Sequence, residues 1–161
     1  MLGLLILNAC SPDVSKSGEL HYLLPEGWSV AEDRQVTEVH RKISIITPSG
    51  NFAELEVLSG NAVQALDIRD YMRRYIESTF TADELRENTE FEFGDVARAG
   101  QQGYFFNVIA PAKETVRFVL EFYQFATAGL NVFVVLTTDP GLPPGNQKVF
   151  DQFLSSVQIV E

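Results

Sequence analysis

The stretch that decides the fold is Asn131-Val132-Phe133-Val134-Val135-Leu136-Thr137, in which every residue from Val132 to Leu136 is bulky and apolar. Successive side chains of a strand point to opposite faces of a sheet, so such a strand must be covered on both faces. Tyr104–Phe106 and Phe118–Leu120 are also continuously apolar. The sequence therefore predicts an α+β protein, a three-layer α/β/α sandwich around a mainly antiparallel sheet.

Turn signals between these stretches favour hairpins. Ala99–Gly103, Pro111–Glu114 and Ala128-Gly129 carry the glycine, proline and small residues that short loops need. Alternating apolar and acidic residues predict a further strand over 52–58, with Ala53, Leu55 and Val57 on its buried face. The other predicted strands are 29–31, 36–39, 42–47, 90–95, 104–110, 116–125, 131–137 and 155–160.

Residues 67–80 form the clearest predicted helix. Asp67 is a suitable N-cap residue, because its carboxylate accepts hydrogen bonds from the first free backbone N–H groups. The apolar residues recur at helical spacing and form one stripe. That stripe consists of Ile68, Tyr71, Met72, Tyr75 and Ile76. A further helical turn is predicted from the capping-box spacing of 81–84, and a last helix over 146–154 follows the proline-rich loop 139–145.

The bulk composition limits the classes of partner. The chain has 161 residues, which suits one domain, and a net charge of −10 from 22 acidic and 12 basic residues. Such a surface is repelled by phosphate backbones and by anionic lipid headgroups. We therefore expect no nucleic-acid binding and no membrane attachment through a basic patch.

The N-terminal residues resemble the processing signal of bacterial lipoproteins. Leu7-Asn8-Ala9-Cys10 has the lipobox order, in which an aliphatic, a variable and a small residue precede the cysteine. In that chemistry the cysteine sulfur receives a diacylglyceryl group, and a peptidase cleaves before it. We expect residues 1–9 to be a signal-peptide remnant, Cys10 to carry the acyl chains, and residues 10–19 to form a flexible tether.

The same segment suggests where the protein resides. The apolar run within 1–9 is too short to span a membrane, which takes about 20 apolar residues. Because secretory signals open with basic residues and 1–9 have none, we expect a basic segment upstream of Met1. Ser11 stands where aspartate favours inner-membrane retention, so the resemblance favours the outer membrane, facing the periplasm. The alternative is a short apolar tail with an incidental cysteine.

The domain itself resembles a known family. Leu24-Pro25-Glu26-Gly27-Trp28 near its start, and the order of elements over residues 20–161, are similar to the PsbP-like fold. That family includes the extrinsic P subunit of photosystem II and bacterial DcrB-type lipoproteins. The resemblance implies a binding or assembly factor, and it carries no catalytic motif to match.

The residues that chemistry would need are few. His21 and His40 are the two histidines available as a general base, and neither stands in a recognisable catalytic context, so both are predicted on strand surfaces. Trp28 is predicted to be buried in the hydrophobic core beside its turn and not to stack on a ligand. We predict no catalytic, cofactor or metal site.

One acidic run stands out between residues 83 and 95. It lacks the alternating spacing of a calcium loop, so a solvated acidic face is expected, with docking of a basic partner as the alternative. Its members are Asp83, Glu84, Glu87, Glu90, Glu92 and Asp95, with Arg86 as the cation among them.

These observations lead to one predicted function and two alternatives. We expect a non-catalytic binding or assembly module of the bacterial cell envelope, anchored in the membrane through Cys10, with a protein partner. The first alternative is a cytosolic chaperone or adaptor of the same fold for an exported protein. The second is an envelope enzyme, disfavoured because no catalytic constellation is present.

Overall fold

The structure is a computed structural model that describes residues 18–60, 66–81, 92–109, 117–138 and 144–160. Strands account for more than half of the described residues. The elements are β1 (Glu19–His21), β2 (Ser29–Thr37), β3 (His40–Ile46), β4 (Phe52–Ser59), α1 (Ile68–Thr79), β5 (Glu92–Arg98), β6 (Gln101–Ile109), β7 (Arg117–Ala126), β8 (Leu130–Thr138), α2 (Pro144–Ser156) and β9 (Gln158–Val160).

Seven strands form one sheet in the order β2-β3-β4-β8-β7-β6-β5. Every neighbouring pair in it is antiparallel, which confirms the predicted α+β class and the antiparallel sheet. A second, two-stranded sheet pairs β1 with β9 and sets Glu19 opposite Val160. The central strand of the large sheet is β8, where Val132–Leu136 have no solvent exposure, as their continuous apolar pattern predicts.

Helix α2 covers the face of the sheet on which Trp28 lies. The Trp28 ring packs against Phe150 and Phe153 of α2, at centroid distances of 5.1 and 5.2 Å. Trp28 is 9% exposed, and Phe153 is fully buried. The prediction that this tryptophan fills the core beside its turn is therefore confirmed.

Helix α1 covers part of the opposite face and begins where the sequence predicts. Asp67 Oδ1 accepts hydrogen bonds of 2.9 Å from the backbone N–H groups of Arg69 and Asp70, as expected of an N-cap. The predicted apolar stripe faces the sheet, and the Tyr71 ring stacks on Phe133 of β8 at 4.1 Å. The N-cap therefore fixes the start of α1 at the predicted residue, and the packing buries the predicted side of the helix.

The predicted limits of β2 and of β6 differ from those in the structure. Residues 29–31 and 36–39 are not separate strands. β2 is continuous from Ser29 to Thr37, and the charged residues in its middle pair with residues of β3. The predicted turn over 99–103 is only two residues long, with φ of 52° at Ala99 and 79° at Gly100. Gly103 lies within β6 opposite Tyr123, where an added Cβ would lie 2.7 Å from Tyr123 Cδ1. That glycine makes room for the ring.

The C-terminal boundary also differs from the prediction. Helix α2 extends to Ser156, and the last strand is confined to Gln158–Val160. Ser156 Oγ donates to the carbonyl of Phe153 at 2.6 Å and accepts from the backbone N–H of Leu23 at 2.9 Å, which holds the last helical turn in place. Helix α2 also begins earlier than predicted, at Pro144, so Pro144 and Gly145 belong to the helix and not to the predicted loop 139–145. The rest of that loop, residues 82–84 of the predicted helical turn and the predicted loop 111–114 lie outside the described residues.

A nearly buried ion pair joins the sheet to α2. Arg98 binds both oxygens of Glu121, with Nε–Oε2 and Nη2–Oε1 distances of 2.7 and 2.8 Å. Arg98 Nη1 also reaches Asp151 Oδ1 at 2.9 Å, and the Tyr123 hydroxyl donates to Glu121 at 2.6 Å. The hydrogen bonds to Glu121 raise the pKa of Arg98, and burial raises the pKa of Tyr123. The arginine therefore stays charged and fixes α2 on the sheet.

A second, more exposed ion pair, between Arg41 and Asp33, makes the free energy of unfolding depend on pH. Arg41 donates to both oxygens of Asp33 at 2.8 and 2.6 Å and holds the pKa of this carboxyl below its ordinary value of 3.8. A pKa that is lower in the folded than in the unfolded protein stabilises the fold above about pH 4, and this contribution is lost as the pH falls through the lowered pKa. We expect Asp33→Asn to remove that part of the acid dependence, measured by urea unfolding between about pH 5 and about pH 2.

The matched control for this change is Glu32→Gln, which removes a looser pair. The Arg34 Nε–Glu32 Oε1 distance is 3.5 Å, and both side chains are more than half exposed. If Asp33→Asn and the unsubstituted protein lose stability in parallel on acidification, the assignment to Asp33 is wrong.

Candidate binding groove

A groove of about 580 Å³ lies between α1 and the β5–β6 hairpin. Its described lining is largely apolar, with charged groups from both sides. The lining residues are Arg69, Met72, Arg73, Ile76 and Glu77 of α1, and Phe93, Gly94, Asp95, Tyr104 and Phe106 of the hairpin. Ligand sites in proteins are typically clefts of this size with apolar walls and a few polar groups.

The hairpin places its side chains through a tight turn. Positive φ angles at Ala99 and Gly100 match the two-residue turn that suits the twist of antiparallel strands. The resulting register pairs Phe93 with Phe106 and Asp95 with Tyr104. Because residues two apart in a strand share a face, all four of these side chains lie on the face that α1 partly covers.

Helix α1 forms the other wall through the edge of its apolar stripe. Residues three and four positions apart lie on one side of a helix. Met72 and Ile76 belong to the stripe, whereas Arg69, Arg73 and Glu77 flank it. The same helix therefore supplies an apolar surface for the sheet and a charged border for the groove.

Arg69 is held against the hairpin. Its Nε donates to the Tyr104 hydroxyl at 3.0 Å, and its Cζ lies 5.0 Å from the centre of the Tyr104 ring, within the range of a cation–π contact. The contact with Tyr104 is the main cause of a raised pKa for Arg69. Arg73 Nη1 lies 3.3 Å from Asp70 Oδ1 on the outer surface of the helix. Both guanidinium groups are thus oriented by neighbours.

Phe93 is the most unusual residue of the groove. It is 67% exposed, more than any other large apolar side chain among the described residues. Burying a phenylalanine side chain is worth about 1.5–3 kcal/mol, so a partner that covers Phe93 gains binding free energy from it. The described lining holds no histidine, cysteine or serine.

On the same face, a set of polar side chains flanks the other side of α1. The Tyr75 hydroxyl donates to Glu54 Oε2 at 3.2 Å, and Lys42 Nζ lies 3.0 Å from the same oxygen. His40 Nε2 lies 3.3 Å from Glu56 Oε2. Burial raises the pKa of Tyr75. The carboxylates are paired with these neighbours, so we interpret this set as support for α1.

The residues singled out from sequence do not converge on one site. His21 lies in β1, half exposed, with Nε2 3.4 Å from Glu19 Oε2, whereas His40 lies in the large sheet. Cys10 lies outside the described residues. No helix in the described ranges has the length and apolar character needed to cross a membrane.

The acidic run is only partly described. Asp83, Glu84, Glu87 and Glu90 lie outside the described residues, Glu92 begins β5, and Asp95 lines the groove. Over the described residues, no cluster of three or more histidine, cysteine, aspartate or glutamate side chains is arranged to hold a metal ion.

Comparison with known proteins identifies the fold. No protein-family model and no curated protein matches the chain. Among solved structures, cyanobacterial PsbP (CyanoP) from Synechocystis sp. PCC 6803 matches with a TM-score of 0.50 and 12% identity, over 95% of this chain and 98% of that one. The fold is PsbP-like. A protein from Bacteroides thetaiotaomicron VPI-5482 matches 88% of this chain with a TM-score of 0.49 and 12% identity, and this chain spans 45% of its length.

The sequence pointed only indirectly to the groove of this PsbP-like domain. Phe93 and Asp95 alternate on a predicted strand, and Arg73 falls off the apolar stripe of the predicted helix. Neither pattern shows that the two elements meet, because their contact depends on the order of strands in the sheet. An aromatic residue alternating with acidic ones was the available signal for an exposed Phe93.

Proposed function

We propose that this protein is a non-catalytic binding or assembly module of the bacterial cell envelope, tethered to the membrane by a lipid on Cys10. The observation that carries the binding role is Phe93, exposed in a groove between α1 and the edge of the sheet. The lipobox order of Leu7-Asn8-Ala9-Cys10 supports the anchor, and the net charge of −10 disfavours attachment through anionic headgroups.

The finer architectural assignment belongs to the same proposal. We interpret α1 and α2, which pack on opposite faces of the sheet, as the outer layers of an α/β/α sandwich. Together with the lipobox, this arrangement favours a relation to DcrB-type lipoproteins.

The groove is tested by removing the exposed ring. We expect Phe93→Ser to reduce the partner recovered from detergent-solubilised membranes at least about tenfold, since the ring accounts for about 1.5–3 kcal/mol when buried. Because Phe93 is mostly exposed, the free energy of unfolding should stay within about 0.5 kcal/mol of the original. Affinity purification with quantitative mass spectrometry measures the first quantity, and urea unfolding the second.

Phe52→Ser is the matched control. Phe52 lies in β4, an even number of residues from Leu58, which packs on the α1 side of the sheet, and it is 36% exposed. The substitution should leave partner recovery unchanged. Equal recovery with Phe93→Ser and with the unsubstituted protein would remove the groove from the proposed function.

The anchor is tested separately on the native protein. We expect the mass at Cys10 to include a diacylglyceryl group, and Cys10→Ser to shift the protein from the membrane to the soluble fraction. Fractionation with intact-mass measurement reports both. A soluble cytosolic protein without added mass at Cys10 would instead favour the chaperone or adaptor alternative.

A further inference from the structure

The groove is bordered by an edge of the sheet. β5 is the last strand in the order, and no strand among the described residues pairs with its outer side. An edge strand presents unpaired backbone N–H and C=O groups, which are a template for another strand. The groove therefore adjoins a backbone surface as well as side chains.

The register of the hairpin shows which backbone groups face outward. The two-residue turn at Ala99-Gly100 makes Arg98 and Gln101 the hydrogen-bonded pair that closes it. In an antiparallel ladder, hydrogen-bonded and non-hydrogen-bonded pairs alternate. Counting back from Arg98, the residues whose N–H and C=O groups point away from β6 are Ala97, Asp95 and Phe93.

The same residues direct side chains to the groove face. Phe93 and Asp95 line the groove, so a strand added beside β5 would place alternate side chains next to the exposed Phe93 ring. Main-chain pairing supplies affinity in this mode, and pockets for alternate side chains supply specificity.

The charges of the groove indicate which side chains fit. The lining carries two arginines, Arg69 and Arg73, and two carboxylates, Glu77 and Asp95, so its charged groups cancel in number. Asp95 also contributes to the raised pKa of Arg69. With no excess of either charge in the lining, the groove favours neither an acidic nor a basic segment, whereas an apolar side chain gains from covering the exposed Phe93 ring.

We propose that the groove binds an extended segment of a partner protein, which pairs with the edge of β5 that no described strand occupies and buries uncharged, bulky side chains against Phe93. The proposal rests on the binding role proposed above and names the class of ligand. It predicts an alternating pattern in the bound segment, with apolar residues toward α1.

The experiment is selection from a random-peptide library displayed on phage, with the full chain as the target. We expect enriched peptides to carry bulky uncharged residues at every second position. Their affinity should fall at least about tenfold on Phe93→Ser. It should fall similarly on Ala97→Pro, because proline removes an N–H that faces outward and is tolerated at such edge positions. Phe52→Ser should have no effect.

A second measurement keeps the test decisive if Ala97→Pro does not fold. Methylation of alternate backbone nitrogens in an enriched peptide blocks strand pairing while the side chains stay the same, and should abolish binding. Peptides that depend on Phe93 but tolerate methylation would overturn strand pairing and leave the groove as a binding site. Failure to enrich peptides, or peptides indifferent to Phe93, would overturn the inference, whereas partner recovery from membranes tests the function independently. Self-association lost on Phe93→Ser, in place of peptide binding, would assign the edge to a second copy and also overturn it.

Discussion

Replacement of Arg98 with methionine is expected to lower the free energy of unfolding by about 3–5 kcal/mol, since removal of one partner from a buried ion pair leaves the other charge uncompensated. The partner left behind is Glu121, whose side chain is 7% exposed. Only the Tyr123 hydroxyl would still donate to this carboxylate, at 2.6 Å, among the bonds described. The contact of Arg98 with Asp151 of α2 would be lost as well.

Urea unfolding at neutral pH measures this effect, and two variants control it. Arg98→Met combined with Glu121→Met removes both charges, so most of the lost stability should return. Arg34→Met removes an arginine that is 59% exposed and paired at 3.5 Å, and should change stability by about 0.5 kcal/mol or less. If Arg98→Met costs no more than Arg34→Met, the ion pair does not hold α2 on the sheet.

Trp28→Ala is expected to lower the free energy of unfolding by about 3–5 kcal/mol, because removal of a large buried aromatic loses its transfer free energy and leaves a cavity. The cavity would open between the sheet and α2, where Trp28 contacts Phe150 and Phe153. Since both neighbours are themselves almost fully buried, little rearrangement is available to fill the space.

Far-UV circular dichroism in urea follows this unfolding, because Trp28 is the one tryptophan of the chain and its fluorescence is lost with it. Trp28→Phe retains an aromatic ring and should cost clearly less than Trp28→Ala. Phe52→Ala, at a partly exposed position, should cost less still. Equal losses for Trp28→Ala and Phe52→Ala would contradict the assignment of Trp28 to the core.

Local patterns were sufficient to predict the elements that one periodicity defines. The stripe of α1 and its Asp67 cap follow from spacing within a single turn or two, and both are confirmed. The burial of β8 follows equally directly from its unbroken apolar run. In these elements the residues that decide the structure are neighbours in sequence.

The errors arose where distant residues decide the structure. The predicted strands 29–31 and 36–39 left out the residues between them, but Asp33 in that gap is satisfied by Arg41 on the next strand, and β2 is continuous. Gly103 suggested a turn, but it clears space for Tyr123 on β7. The groove likewise depends on α1 crossing toward a hairpin that follows it in sequence, so Phe93 could not be recognised as exposed in a groove from the sequence alone.

The small sheet of β1 and β9 has a consequence for the order in which the protein folds. Its residue pairs join the first and the last described strands, so a very long loop must close before they can form. The entropy cost of that closure is met only after the central sheet has brought the two strands together. The ladder spans only three residue pairs and is partly exposed. We therefore expect β1 to form last and to open first, with amide protons that exchange faster than those of β8. Opening of β1 would then release the first described strand of the chain while the central sheet stays closed.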